Sequence, residues 1–379
     1  MKKLFLLIAF IGIVTAQAQT PATLTFSNMN FGPGTITAKI IDTTGFVSPT
    51  AGINQVWNYA SLTPTATSSY TSISPASAYF PTATYADTNL SAPFVPGWYY
   101  HYNLYYKNDA TADAILGIEL PLQNYSITAI SGGANDSCYI LPQHVDYNPA
   151  MNMIVYPATM NSAWQSTYTD VINFQLTIVA YMMNHTPCQK ITHYIRQDTI
   201  IGWGTATIPA AGGPSVPYSC LLEKRVTVAA DSFYMNGAPA PAPLLSAFGL
   251  SQGQQTISNR YMLWRENSNY PLMIVNYGAN NFTKPTSVVI DANVGTAGIP
   301  NISDNETVNV FPNPASDKVS ITGVQNADVS ISDISGRIVY RNNNFNSAEP
   351  IDISIFEKGN YIIRIISKNN TVIKKLVVL

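Results

Sequence analysis

The sequence predicts an all-β protein: a β-sandwich-like body followed by a small seven-stranded, immunoglobulin-like β-sandwich at the C-terminus. Three observations carry this reading. The chain of 379 residues contains 22 Gly, 25 Pro and 23 Tyr. Short β-branched and aromatic runs recur between turn residues. No segment beyond the first 18 residues shows a long apolar period of 3.6 with caps, which an amphipathic helix would need.

Lys2 and Lys3, the apolar run Leu4 to Val14 and the small-x-small site Ala16-Gln17-Ala18 read as a secretory signal peptide over 1–18, cut before Gln19. Its eleven apolar residues are too few to cross about 30 Å of hydrocarbon. Residues 19–290 form a β-rich body of one or two units. Thr23 to Ile41 alternates around the Gly32-Pro33-Gly34 turn, GINQVWNYASL follows at 52–62, and the Pro-, Ser- and Thr-rich stretch to Asp87 reads as a long irregular loop with short extended pieces. In WYYHYNLYYK, period two puts Trp98, Tyr100, Tyr102, Leu104 and Tyr106 on one face and Tyr99, His101, Asn103, Tyr105 and Lys107 on the other. Further strands are expected over 114–121, 125–130, 151–156, 169–182, 190–201, 220–229, 261–265 and 271–277, with Glu266 to Asn269 in a turn. Asp291 to Asp304 loses apolar patterning and reads as a linker. Residues 305–379 then carry seven short strands, the last of which is apolar on both faces and reads as internal.

Charge excludes one class of partner. Residues 19–305 carry 9 basic and 14 acidic side chains and residues 306–379 carry 8 and 7, so the mature chain stands at 17 − 21 = −4. Without a basic patch, nucleic-acid binding lacks its main source of affinity.

No cofactor or metal motif emerges. HExxH, GxSxG, Gly-rich phosphate loops and EF-hand loops are absent, although His185 and His193 could meet across a hairpin. Cys138, Cys188 and Cys220 fit neither CxxC nor a compact zinc pattern, and both one disulfide and three buried thiols stay open. The acids are scattered. Glu119, Glu223 and Glu266, in or beside strands, are the first to inspect for a carboxylate pair roughly 5 to 10 Å apart. Tyr99, His101 and Tyr105 form a candidate ligand surface for a glycan or a protein partner.

The tail carries an ordered set of motifs: VFPNPASDKVSI at 310–321, ADVSISDISGRIVY at 327–340, IDISIFEKGNYIIRI at 351–365 and the terminal TVIKKLVVL. This set resembles the type A C-terminal sorting domain of proteins exported by the type IX secretion system of Bacteroidota. The family pattern falls on Phe311, Pro312, Asn313, Pro314, Gly336, Arg337, Gly359, Tyr361, Lys374 and Lys375, with Phe311 where Tyr is more usual. The resemblance implies passage through the Sec route and then the type IX machinery, to the outer cell surface or the medium. It also implies a C-terminal signal peptidase as partner and, in many members, attachment to surface lipopolysaccharide once the tail is removed. The body resembles uncharacterised secreted Bacteroidota proteins that share the segment at 52–62, a GWGT hairpin at 202–205 and YPLMI at 270–274. Asp42-Thr43-Thr44 and Asp198-Thr199-Ile200 resemble the O-glycosylation acceptor of that phylum, at Thr43 and Thr199. The expected function is non-enzymatic binding or a structural role at the cell surface; the alternative is a secreted glycosidase or protease with an unrecognised site in the body.

Overall fold

The computed structural model describes residues 21–296 and 308–379, other than 96, 280, 325, 348–349 and 368–369. The signal-peptide segment 1–18 lies outside the described residues. The chain divides into two compact units, Met1–Ala297 and Gly298–Leu379.

The body is all-β, with strands β1 (Gly34–Ile41), β2 (Gly52–Asn58), β3 (Pro64–Ile73), β4 (Tyr85–Val95), β5 (Trp98–Asn108), β6 (Ala112–Leu120) and β7 (Gln123–Ser126). Next come β8 (Ser137–Ile140), β9 (Gln143–Val155), β10 (Ala163–Ile178), β11 (Met183–Thr207) and the two-residue pair β12 (Pro209–Ala210) and β13 (Gly213–Pro214). β14 (Tyr218–Met235), β15 (Ala238–Pro239), a short helix α1 (Ala242–Ala247), β16 (Gln254–Arg265), β17 (Met273–Gly278) and β18 (Ser287–Asp291) complete it. Among the described residues, sixteen strands share one sheet, ordered β7-β8-β10-β11-β14-β16-β17-β18-β1-β3-β4-β5-β6-β9, with β15 on β14 and β2 on β11. Long twisted strands curl such a sheet. Its last strand, β9, comes back against β10, where Asn152 N–H donates to Ser166 Oγ (3.1 Å) and the Trp164 indole donates to the Asn152 carbonyl (3.3 Å).

The curl gives the sheet an inner face. On β11, Cys188, Thr192, Arg196, Asp198 and Ile200 are buried, while His193, Ile195 and Gln197 between them are exposed. One end of the interior is apolar, around Ile118, Ile140, Ile172 and Leu176, and so is the other, around Ile200, Leu221, Met262 and Trp264. The middle is charged. Asp198 accepts from Arg196 Nε (2.9 Å) and Arg225 Nε (2.6 Å), Arg225 Nη2 lies 2.9 Å from Glu223, and Glu223 accepts the Trp264 indole at 2.6 Å. Both arginines also donate to the Met153 carbonyl on β9, at 3.4 and 3.3 Å. Burial opposes the charge on Asp198, yet Arg225 and Arg196 hold its carboxyl below the ordinary range; burial pushes Glu223 up.

Four expectations change. The stretch over 64–73 is one ten-residue strand where only short extended pieces were expected within a loop: Thr35 and Thr37 meet Thr71 and Ser69 hydroxyl to hydroxyl at 3.1 and 3.0 Å across β1 and β3, a ladder of small polar side chains with no apolar period to betray it. GWGT continues β11 instead of turning. Gly204 sits opposite Gln55 of the parallel β2, and a Cβ there would stand 2.0 Å from the Gln55 carbonyl oxygen, so the two shared segments at 52–62 and 202–205 are the two sides of one close backbone approach. The linker starts later than 291, because Asp291 pairs with Ala38 and lies 2.7 Å from Arg265, and Thr296 bridges Ser215; residues 297–304 lie outside the described residues. His185 and His193 occupy one strand, eight residues and about 26 Å apart, and cannot meet.

In the tail, β19 (Asn309–Phe311), β20 (Lys318–Thr322) and β23 (Ile351–Asp352) form one sheet. β21 (Ala327–Asp333), β22 (Ile338–Phe345), β24 (Gly359–Ser367) and β25 (Asn370–Val378) form a second, and Val319, Ile321, Ile331, Ile363 and Leu376 share one core. β25 is an edge strand of its sheet, not an internal one. Ala315 bridges Val378 in parallel at its outer edge, while on its second apolar face Ile373 is exposed and Val377 half-buried.

Asp198→Ala is expected to leave two buried guanidinium groups short of their shared acceptor and to cost about 3–5 kcal/mol. Urea unfolding of the mature chain reads this directly.

Candidate functional site

Four strands place their inner side chains in register. Asp170 on β10 pairs with Thr192 on β11, Thr192 with Asp231 on β14, and Asp231 with Gln254 on β16, giving one lateral row of four polar side chains. Two strand spacings put the Asp170 and Asp231 backbones about 10 Å apart. The period-two alternation through Ile172, Leu176 and Ile178 forces Asp170 onto the inner face, since it stands two residues before Ile172.

This row floors a cleft of about 400 Å³, walled by Pro93, Phe94 and Val95 of β4 and Tyr100 of β5, with Lys190, Tyr194, Thr256 and Ser258 also lining it. The opening has a structural origin: β17 pairs only with residues 259–263 of β16, so residues 254–258 outrun their neighbour, and Thr256 and Ser258 are exposed.

The two carboxylates differ. Asp231 is well supplied with donors: Thr192 donates to Oδ1 at 2.6 Å, and Oδ2 takes the Gln254 amide at 3.2 Å and the Lys190 ammonium at 3.4 Å. Asp170 is 5% exposed, and its Oδ1 has no hydrogen-bond donor among the described residues. Burial raises the Asp170 carboxyl to about 6; the Tyr147 hydroxyl and Lys190 pull it down and Asp231 pushes it further up. A buried acceptor without a donor is costly, and a ligand hydroxyl reaching it would remove that cost.

Neither residue was among the acids singled out from the sequence. Glu119 takes the Tyr105 hydroxyl at 2.6 Å and also the Ser77 hydroxyl; Glu223 is held in the ion cluster; Glu266 is exposed in its turn. The candidate surface on β5 separates. Tyr99 and His101 are exposed, but Tyr105 is buried beneath Phe80, stacked at 4.8 Å, so it offers no ligand surface. Thr43 is half-buried in a turn where Thr44 N–H donates to Asp42; Thr199 is half-buried in mid-strand, and its Asp198 neighbour points inward to the arginines. All three cysteines are free and buried, with burial raising each thiol to about 12. No group of three or more metal-ligating side chains occurs among the described residues, and no helix there is long and apolar enough to cross a membrane.

The tail motif has a physical core of its own. Asn313 clamps the terminal strand: its Nδ2 donates to the Lys375 carbonyl at 2.6 Å and its Oδ1 accepts from Val377 N–H at 2.9 Å. Phe311, Pro312 and Pro314 around it are exposed. Gly336 takes φ +86° in the turn that Asp333 organises, where Arg337 lies 3.0 Å from the Asp333 carboxylate. Tyr361 is buried and donates to the Glu357 carbonyl at 2.7 Å, and Gly359 opens β24 opposite Val378. Lys374 and Lys375 face Ile363 and Ile362, the first half-buried and the second exposed.

Comparison with known proteins agrees with this tail. Residues 309–379 match the family model described as the secretion system C-terminal sorting domain. The chain therefore carries a type IX sorting domain, and it is a secreted or cell-surface protein that engages the type IX machinery. No curated protein matches it. Among solved structures, PorZ, a surface component of the type IX secretion system of Porphyromonas gingivalis, is similar over 77% of this chain and 59% of its own, at 9% identity and a TM-score of 0.18. That likeness is too slight to bear on the fold or the role of the body.

Two outcomes test these placements. The folded protein holds a proton on Asp170 that the unfolded chain releases between pH 3.8 and about 6, so Asp170 makes stability fall as pH rises through that window. Asp170→Asn should match the parent near pH 4 and gain on it towards neutral pH, on the order of 3 kcal/mol, in urea titrations at each pH. Asn313→Ala should free the terminal strand and cut secretion at least tenfold, with the protein retained in the periplasm; fractionation of cells with and without an intact type IX system measures it.

Proposed function

We propose that the body is a non-enzymatic binding module, displayed at the cell surface by its sorting tail, which takes a hydroxyl-rich ligand of the carbohydrate class into the cleft between β4 and β16. The observation that carries this reading is the open cleft floored by Asp170, whose buried Oδ1 is an acceptor without a donor among the described residues. Tyr100, Tyr194, Phe94, Thr192, Thr256 and Ser258 supply the mixture of ring faces and hydroxyls that sugar recognition uses. Asp231 argues against turnover. Three of its roughly four lone-pair positions are taken by donors, which leaves little of this carboxylate for work as a base or nucleophile.

A hydrolase is the second reading, favoured by the pairing of one carboxyl raised by burial with one held by donors, a division that acid and base partners commonly show. In this proposal the tail keeps the immunoglobulin-like sandwich arrangement expected for its seven strands, is removed by the C-terminal signal peptidase, and leaves the body free in the medium or attached to lipopolysaccharide.

The two readings separate in one experiment. Residues 19–296 are screened on a glycan array and then by calorimetry, with product analysis of every bound glycan. Saturable binding, unchanged glycan and at least a tenfold loss of affinity in Asp170→Ala are expected. Cleavage that disappears in both Asp170→Asn and Asp231→Asn would establish the hydrolase instead.

A further inference from the structure

The inner rows continue beyond the two carboxylates. One step along the strands, Tyr168, Tyr194, Ala229 and Thr256 form the next row; then come Ser166, Arg196, Thr227 and Ser258, and then Trp164, Asp198, Arg225 and Arg260. Six residues separate Gln254 from Arg260 on β16, a run of about 20 Å. The fourth row opens into a second cavity of about 260 Å³, lined by Tyr70, Asp87, Asp113, Arg225, Arg260, Asn269 and Tyr270 among others. The two cavities share β4 as a wall. Their floors meet where Thr227 and Ser258 give way to Arg225 and Arg260, two residues on along each strand.

Arg260 differs from its neighbours. Arg196 and Arg225 are paired with Asp198 and Glu223, whereas Arg260 makes no ion pair among the described residues. Its Nε donates to Asn276 Oδ1 at 2.7 Å, and its two terminal nitrogens have no acceptor among the described residues. The acids across the cavity are already occupied by hydroxyls. Tyr106 donates to Asp87 at 2.9 Å and Ser72 donates to it as well; Tyr85 donates to both oxygens of Asp113, at 2.9 and 3.0 Å. Burial pushes Asp113 up to about 7, which thins the negative charge on that side, while Arg260, lowered by burial and by Arg225 to about 10, keeps its own. A guanidinium whose terminal edge is free in a walled cavity is shaped for a carboxylate.

We infer that the cleft is extended and selects an acidic oligosaccharide: a sugar carboxylate docks on Arg260 while hydroxyls further along the same ligand reach Asp170. This rests on the carbohydrate reading and narrows it to uronate-type chains. The length of the floor, about 20 Å from the carboxylate row to the arginine row, suits an oligomer in place of a single sugar. Tyr70 and Tyr270, edge to face with ring centres 6.4 Å apart, flank the arginine end.

Calorimetry with oligogalacturonate, and with the same oligomer after its carboxyls are reduced to alcohols, tests the assignment on the mature chain. The native oligomer should bind at least tenfold more tightly, and the advantage should shrink as sodium chloride rises. Arg260→Met should lose the advantage, Arg260→Lys should keep part of it, and Asp170→Ala should weaken both ligands; thermal melts confirm that each variant is folded. Equal affinity for the two oligomers, or an undiminished preference in folded Arg260→Met, overturns the arginine assignment and leaves the cleft reading in place. Absence of binding by either oligomer, with neutral glycans bound and lost in Asp170→Ala, also overturns it. Absence of all glycan binding overturns both. Should Arg260→Met not fold, the salt dependence and the reduced oligomer decide.

Discussion

The body depends on the ion cluster of Arg196, Asp198, Glu223 and Arg225. A curled sheet of long strands encloses more volume than its apolar side chains fill, and the middle of this interior is occupied by charge. Each charge alone would be costly there. Together, with the Trp264 indole and the Met153 carbonyl completing their hydrogen bonds, they join β11, β14, β16 and β9 through directional contacts. The two carbonyl bonds to Met153 matter most for shape, because β9 is the last strand of the hydrogen-bonded path and the cluster belongs to the middle of it.

A polar interior has a functional consequence. Apolar side chains fill both ends of the sheet, so the rows between them present carboxylates, hydroxyls and guanidinium groups to enclosed space. Where β16 outruns β17, that space opens. The same alternation that builds the fold thus lays out the candidate site, with Asp170 and Asp231 at one end and Arg260 at the other. The tail follows a different logic: its recognition motif is largely exposed around Asn313, while Tyr361 and the aliphatic strands hold it rigid.

What the sequence alone determined was local. The period-two pattern of WYYHYNLYYK put Tyr100 and Tyr106 on one face and Tyr99 and His101 on the other, and the first pair is buried and the second exposed, because side-chain direction in a strand follows from backbone geometry. The ordered tail motifs identified the sorting domain, because that signal is carried by short contiguous segments. What only the tertiary structure decided was pairing at long range. The Thr and Ser ladder of β3, the close approach of Gly204 to Gln55, the cover of Phe80 over Tyr105 and the row uniting Asp170 with Asp231, 61 positions away, all depend on which strands lie side by side. Hydrophobic period fixes a strand's faces but leaves its neighbours and register to packing across the whole sheet, so a site assembled laterally across strands stays hidden until the strands are aligned.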